Sequence, residues 1–176
     1  GQKKYNECGH ALHNGIILAA AFGIPASLLG IIFSTEIAGL FLDDPQVILI
    51  CSEYMYYGFF GVLFILISFA FQGFYTGVEQ TKIHMKVTIV CNIINVYLNA
   101  GLIYGSDGVS SFLDKLGASG LSILWQWYSF PALGVKGAAI ATVIASGCMV
   151  ILYVFHIYKN ELVQYNPFHF YLSAGN

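Results

Sequence analysis

The stretch from Val87 to Tyr104, VTIVCNIINVYLNAGLIY, constrains this chain more than any other. As a helix it is long enough to cross a bilayer and it carries no formal charge, yet it holds three asparagines. Asn92, Asn95 and Asn99 recur at i, i+3 and i+7 and so share one face, with Thr88 one turn earlier. A carboxamide in hydrocarbon is costly unless it is paired, so that face must meet protein or water rather than lipid. Two roles suit such a stripe. It can hydrogen-bond to neighbouring helices, at about 0.6–2 kcal/mol per contact, or it can line a path for a substrate or an ion.

Composition extends the membrane reading to the whole chain. The 176 residues are 57% hydrophobic and 9% charged, with a mean hydropathy of +0.72; soluble domains carry about 25% charged residues. The fold class expected is all-α, a polytopic integral membrane protein with four transmembrane helices. A net charge of −2, with every basic residue a lysine, gives nucleic acid nothing to bind. Cys8, Cys51, Cys91 and Cys148 lack CxxC or Cys/His spacing, which predicts neither a disulfide nor a metal site. The first fourteen residues are polar, without the apolar run of a signal peptide. With no initiator Met, the sequence reads as a piece of something longer.

Along the chain, residues 1–14 are expected to form a polar connection. The first span covers about 15–41, with Pro25 kinking or breaking it. Asp44 makes a good N-cap with Pro45 at the first helical position, so the second span covers about 46–78. Glu53 near its start suits either an interfacial acid or a proton-carrying carboxylate. The third span covers about 84–105 and the fourth about 135–158. Residues 106–133 are too weakly hydrophobic at their start to span; the aromatic-rich LSILWQWYSFP within them suits an interfacial segment. In the fourth span Gly137, Ala141 and Ala145 recur every four residues, so this helix should pack closely on another. His10 and His84 fall in expected loops and His156 near a helix end. Residues 166–176 read as a connection toward a further helix.

Lysines set the orientation. Lys3, Lys4, Lys82, Lys86 and Lys159 fall on one side of a four-span arrangement and Lys115, with Lys136 at the mouth of the last span, on the other. The lysine-rich side, with both ends of the chain, is expected in the cytoplasm.

No P-loop, GxGxxG, HExxH or GxSxG occurs, and nothing supplies a nucleophile with a base, so no enzyme is expected and no cofactor beyond a coupling ion. Three stretches do carry a pattern: FQGFYTGVEQTKIHMK at 71–86, NIINVYLNAGLIYG at 92–105 and PALGVKGAAIATVIA at 131–145. In that order they resemble the amino-terminal lobe of the MATE family, the multidrug and toxic compound extrusion transporters. FLDDPQVI and the opening GQKKYNECGHAL are similar to further connections of that family. The resemblance covers nearly the whole chain, with residues 1–165 standing for about helices three to six of twelve.

What the resemblance implies is secondary active efflux of cationic or amphiphilic small molecules, such as drugs and toxins. Protons or sodium would drive it by antiport, and two lobes would alternate access to a central cavity. The partners implied are the lipid bilayer, small organic cations and the remaining helices of the transporter. The location implied is the plasma membrane, the inner membrane of a bacterium. In many prokaryotic members the cation site takes an Asp from the first helix, an Asn and an Asp from the fifth, and a Thr from the sixth. Asn95 matches the Asn and Thr142 the Thr; Asn99 stands where the family has its second Asp. The expected ion- or substrate-binding residues are therefore Asn95, Asn99, Thr142 and Asn92. A carboxamide lends a neutral oxygen but carries no proton, so Asn99 departs from the pattern. So does segment 106–130, longer than the family's usual link. The competing readings are a lipid-linked oligosaccharide flippase, disfavoured by the lack of any arginine, and a structural membrane subunit without a pathway.

Overall fold

The computed structural model describes residues 5–159 and 162–165. Among the described residues six helices follow in order: α1 (Tyr5–Ile32), α2 (Ser34–Gly39), α3 (Pro45–Gly77), α4 (Thr81–Lys115), α5 (Ile123–Gln126) and α6 (Val135–Lys159). Single 3₁₀ turns cover Ser119–Ser122 and Leu162–Tyr165, and there is no strand among the described residues. Four helices, α1, α3, α4 and α6, are long and apolar enough to cross a membrane. The protein is thus an all-α polytopic membrane protein, as its sequence leads one to expect. Phe22, Leu49, Phe69, Val96 and Ile151 are among the large apolar side chains left on the outer surface, where lipid can take the place of a protein core.

Local chemistry fixes where α3 begins. Asp44 adopts an extended conformation, its Oδ1 accepts the Gln46 N–H at 2.8 Å, and Pro45 opens the helix where no N–H is needed. The start of α1 differs from expectation. Helix α1 starts at Tyr5 rather than near 15, because even its polar first turns bury an apolar side chain, Leu12, in the core. It also continues through Pro25, and the chain breaks at Phe33 instead. Packing explains the continuity. Gly15, Gly23 and Gly30 press against Ala70, against Leu63 and Leu66, and against Phe59 of α3; a Cβ at Gly30 would lie 2.2 Å from the Phe59 ring. These contacts flank Pro25 and seat both halves of α1 on α3.

Helix α4 begins a little before the expected span. His84, expected in a loop, sits in its first turns, and His10 lies within α1. At the far end the helical geometry breaks at Gly105, where the span was expected to end, and a second helical stretch continues from this elbow to Lys115. At Gly105 φ is 73° and ψ 167°, a conformation essentially reserved for glycine. The residues expected as a connection at 166–176 lie outside the described residues.

The buried centre gathers where α3 ends and α4 begins. Phe71, Phe74 and Tyr75 of α3 meet Ile83, Val87 and Cys91 of α4, Tyr153 and Ile157 of α6, and Leu12 of α1. Tyr75 and Tyr153 are both fully buried, and the Phe71 ring stacks on Tyr153 at 5.5 Å. Toward the other end the small-residue face of α6 packs on α4. Gly137, Ala141 and Ala145 are buried, and a Cβ at Gly137 would lie 2.2 Å from the Leu102 carbonyl oxygen. The close approach predicted by the four-residue spacing is therefore made, and α4 is the partner.

Candidate functional site

Two contacts fix how α4 and α6 lie side by side. Asn95 Nδ2 reaches Thr142 Oγ1 at 3.5 Å, and His84 Nδ1 lies 2.6 Å from the Tyr153 hydroxyl. The two contacts lie eleven residues apart along each helix, three turns, and in opposite chain directions, so the helices run antiparallel in one register. The polar groups between them form a seam inside an otherwise apolar interface.

At its middle the seam is a chain of donors. Asn99 Nδ2 donates to Asn95 Oδ1 at 2.8 Å, Asn95 donates on to Thr142, and Thr142 donates to the Ala138 carbonyl at 3.0 Å. Beside this chain Asn99 Oδ1 is buried and has no hydrogen-bond partner among the described residues, as is true of Thr88 Oγ1 on the same helix and Ser27 Oγ on α1. A neutral oxygen held in this way suits a polar hydrogen or a hard cation. At the seam's other end Tyr75 donates its hydroxyl to the Tyr153 carbonyl at 2.6 Å, so α3, α4 and α6 are tied at one point.

The segment after the elbow braces the opposite side of α4. Left-handed Gly105 interrupts the helical ladder, and the Leu102 and Ile103 carbonyls accept instead from the Leu133 and Gly134 N–H groups, at 2.8 and 3.2 Å. Ser106 Oγ lies 2.9 Å from the carbonyls of Trp125 and Tyr128 and accepts from the Phe130 N–H. Trp125 donates its indole N–H to the Tyr97 carbonyl at 3.0 Å and stacks on the Tyr97 ring. The aromatic-rich stretch is thus folded onto α4.

Against this geometry, the MatE family model matches residues 1–100, more than half of the chain. The chain belongs to the MatE family. It is similar to the probable multidrug resistance protein NorM of Bacillus anthracis, 27% identical over 162 residues, which are 92% of this chain and 31% of that protein. The probable NorM of Photorhabdus laumondii is 28% identical over 158 residues, 89% of this chain and 30% of the relative. The multidrug resistance protein NorM of Vibrio cholerae is 26% identical over 162 residues, 92% and 30% respectively. The chain therefore spans about three-tenths of the length of these relatives. No solved structure matches it significantly.

Of the four residues expected in the site of this MatE chain, the structure brings Asn95, Asn99 and Thr142 together and leaves Asn92 apart. Asn92 is exposed and lines a shallow apolar groove with Ile93, Val96, Tyr97, Leu124 and Trp125. Its turn of α4 faces the small Ala145 region of α6, and Ser146, the nearest hydroxyl in register, already donates to the Thr142 carbonyl. Sequence reasoning missed the union of His84, Tyr153 and Tyr75. The available signal was a tyrosine inside the last uncharged span, spaced from Thr142 as His84 is from Asn95.

Glu53 resolves as an ion pair. Its Oε1 lies 3.3 Å from Lys136 Nζ, both side chains remaining partly exposed, and the same ammonium stands 6.0 Å from the centre of the Tyr57 ring. The pair joins the starts of α3 and α6. Among the described residues no group of three His, Cys, Asp or Glu side chains is placed to hold a metal ion.

Proposed function

We propose that this chain forms part of a multidrug efflux carrier, exporting cationic or amphiphilic small molecules by antiport with protons or sodium. Its helices would line one lobe of a two-lobed cavity that opens alternately to each side of the plasma membrane, with the lysine-rich end in the cytoplasm. Two supports favour this over a purely structural bundle: membership of the MatE family, and relatives named as multidrug resistance proteins. The observation that carries the site is the Asn99–Asn95–Thr142 chain with its spare buried oxygen. A buried carboxamide oxygen next to this donor chain is available to accept from a ligand.

In this reading Asn95 and Thr142 orient Asn99, and Asn99 Oδ1 contacts the cargo or the coupling cation. A carboxamide at 99 cannot itself carry a proton, so this seam contributes binding, and the charge that coupling needs comes from a carboxylate elsewhere in the carrier. The test is ethidium efflux from cells carrying the full-length gene, with and without Asn95→Ala. Losing a hydrogen-bonding partner worth about 0.5–1.5 kcal/mol should slow efflux by roughly two- to tenfold. Unchanged efflux at equal membrane abundance would remove the seam from the pathway.

A further inference from the structure

At the end of the bundle where α3 and α6 start, a cleft of about 420 Å³ opens between α2 and α3. It falls within the range of about 300–1,000 Å³ usual for small-molecule sites. Ser34 and Thr35 of α2 form one wall; Ser52, Glu53, Tyr56 and Tyr57 of α3 form the other. Ser34 and Ser52 are buried, and Ser52 already donates to the Leu49 carbonyl. The Tyr56 and Tyr57 rings meet edge to face with centroids 5.3 Å apart. One carboxylate, two tyrosine rings and several hydroxyl oxygens suit an organic ammonium, which takes charge from the acid and quadrupole attraction from the rings.

The molecule itself shows that chemistry in use. Two of the cleft's lining groups, Glu53 and Tyr57, hold the Lys136 ammonium, at 3.3 Å from the carboxylate and 6.0 Å from the ring centre. Lys136 reaches them from the first turn of α6, so it is a cation tethered by its own backbone. The surroundings favour exchange with an outside cation. Glu36 on α2, Asp43 and Asp44 in the turn after it, and Glu53 on α3 are the acids along this stretch of chain, against Lys136, an imbalance that favours cations near the cleft.

We propose that this corner is an organic-cation site distinct from the Asn95–Thr142 seam, and that Lys136 is its built-in competitor. A quaternary or alkyl ammonium displaces the lysine, sits between Glu53 and the Tyr56 and Tyr57 rings, and breaks the ion pair between α3 and α6 while it stays. The proposal rests on the efflux reading only for the nature of the cargo; binding here needs no transport.

The test is scintillation-proximity binding of radiolabelled tetraethylammonium to the purified 176-residue chain in detergent. Lys136→Gln removes the competitor. If the exposed pair is worth what such pairs usually are, affinity should rise about two- to fivefold. Glu53→Gln and Tyr57→Leu should each weaken binding, and Glu79→Gln, an exposed acid just past the far end of α3, should leave it unchanged. Circular dichroism checks that each variant keeps its helices, and Tyr57→Leu carries the test if Glu53→Gln does not fold. Lys136→Gln binding no better than the natural chain, or binding that Glu53→Gln leaves unweakened or that Glu79→Gln weakens equally, overturns the proposal. Ethidium export by the full-length carrier alongside no probe binding to Lys136→Gln would sink this corner and leave the efflux reading standing.

Discussion

Replacing Gly137 with alanine tests how closely α6 is seated on α4. The new Cβ would lie 2.2 Å from the Leu102 carbonyl oxygen and 2.6 Å from its carbon. A comfortable carbon–oxygen contact is about 3.3 Å or more, so the start of α6 must retreat by roughly 1 Å. Overpacking of this kind costs about 1–3 kcal/mol. The retreat also stretches the Leu133 N–H bond to the same carbonyl, now 2.8 Å, worth up to about 1 kcal/mol. Against these stands the helix-propensity gain of alanine over glycine, about 0.8–1 kcal/mol. The net expectation is a loss of roughly 1–3 kcal/mol. Gly147 supplies the control on the same helix: a Cβ there meets nothing within 4 Å, so Gly147→Ala keeps only the gain. The assay is unfolding in mixed micelles as the mole fraction of dodecyl sulphate rises, followed by far-ultraviolet circular dichroism. Gly137→Ala should unfold earlier than the natural chain and Gly147→Ala no earlier. Two variants of equal stability would refute the backbone contact, and with it the placement of Thr142 opposite Asn95. That 3.5 Å contact has no slack to absorb the same retreat.

Gly105→Ala forces a side chain into a left-handed conformation and brings its Cβ within 3.2 Å of Ala132 and the Phe130 carbonyl, so a loss of about 1–3 kcal/mol is expected in the same assay. Tyr153→Phe keeps the ring stack and the backbone carbonyl that Tyr75 uses, but strips His84 of its partner, at about 1–2 kcal/mol. The loss should shrink when His84→Ala is already present, and strict additivity in that double-mutant cycle would dismiss the contact. Loss of efflux in Asn95→Ala and tighter tetraethylammonium binding in Lys136→Gln complete the set.

The spans were legible because hydrocarbon imposes one simple demand, a long uncharged helix, and the Asp44–Pro45 start because capping is local chemistry. The true start of α1 was not. Residues 5–14 look polar when read singly, and only the tertiary burial of Leu12 makes those turns part of the helix. That the helix continues through Pro25 was not legible either, since the glycines that seat both halves of α1 act through α3. Within the seam, spacing placed Asn95 and Asn99 on one face, and the resemblance supplied Thr142. Spacing put Asn92 on that face as well, because periodicity reports direction around a helix and says nothing of what stands opposite at each level. His84 went unread for a related reason. A lone histidine beside lysines looks like loop, and its partner Tyr153 lies sixty-nine residues away.

The elbow at Gly105 has a mechanical consequence. A helix broken at glycine alone is a free joint, and its stranded carbonyls would demand water. Here those carbonyls are taken by Leu133 and Gly134, the two residues that lead directly into α6. The joint is therefore soldered to the neighbouring helix at the point where it bends. Torque on α6 passes into α4 at the elbow, while Asn95 and Thr142 two to three turns away keep their spacing. Any rocking of this part of the molecule moves both helices as one lever, with the seam carried along intact.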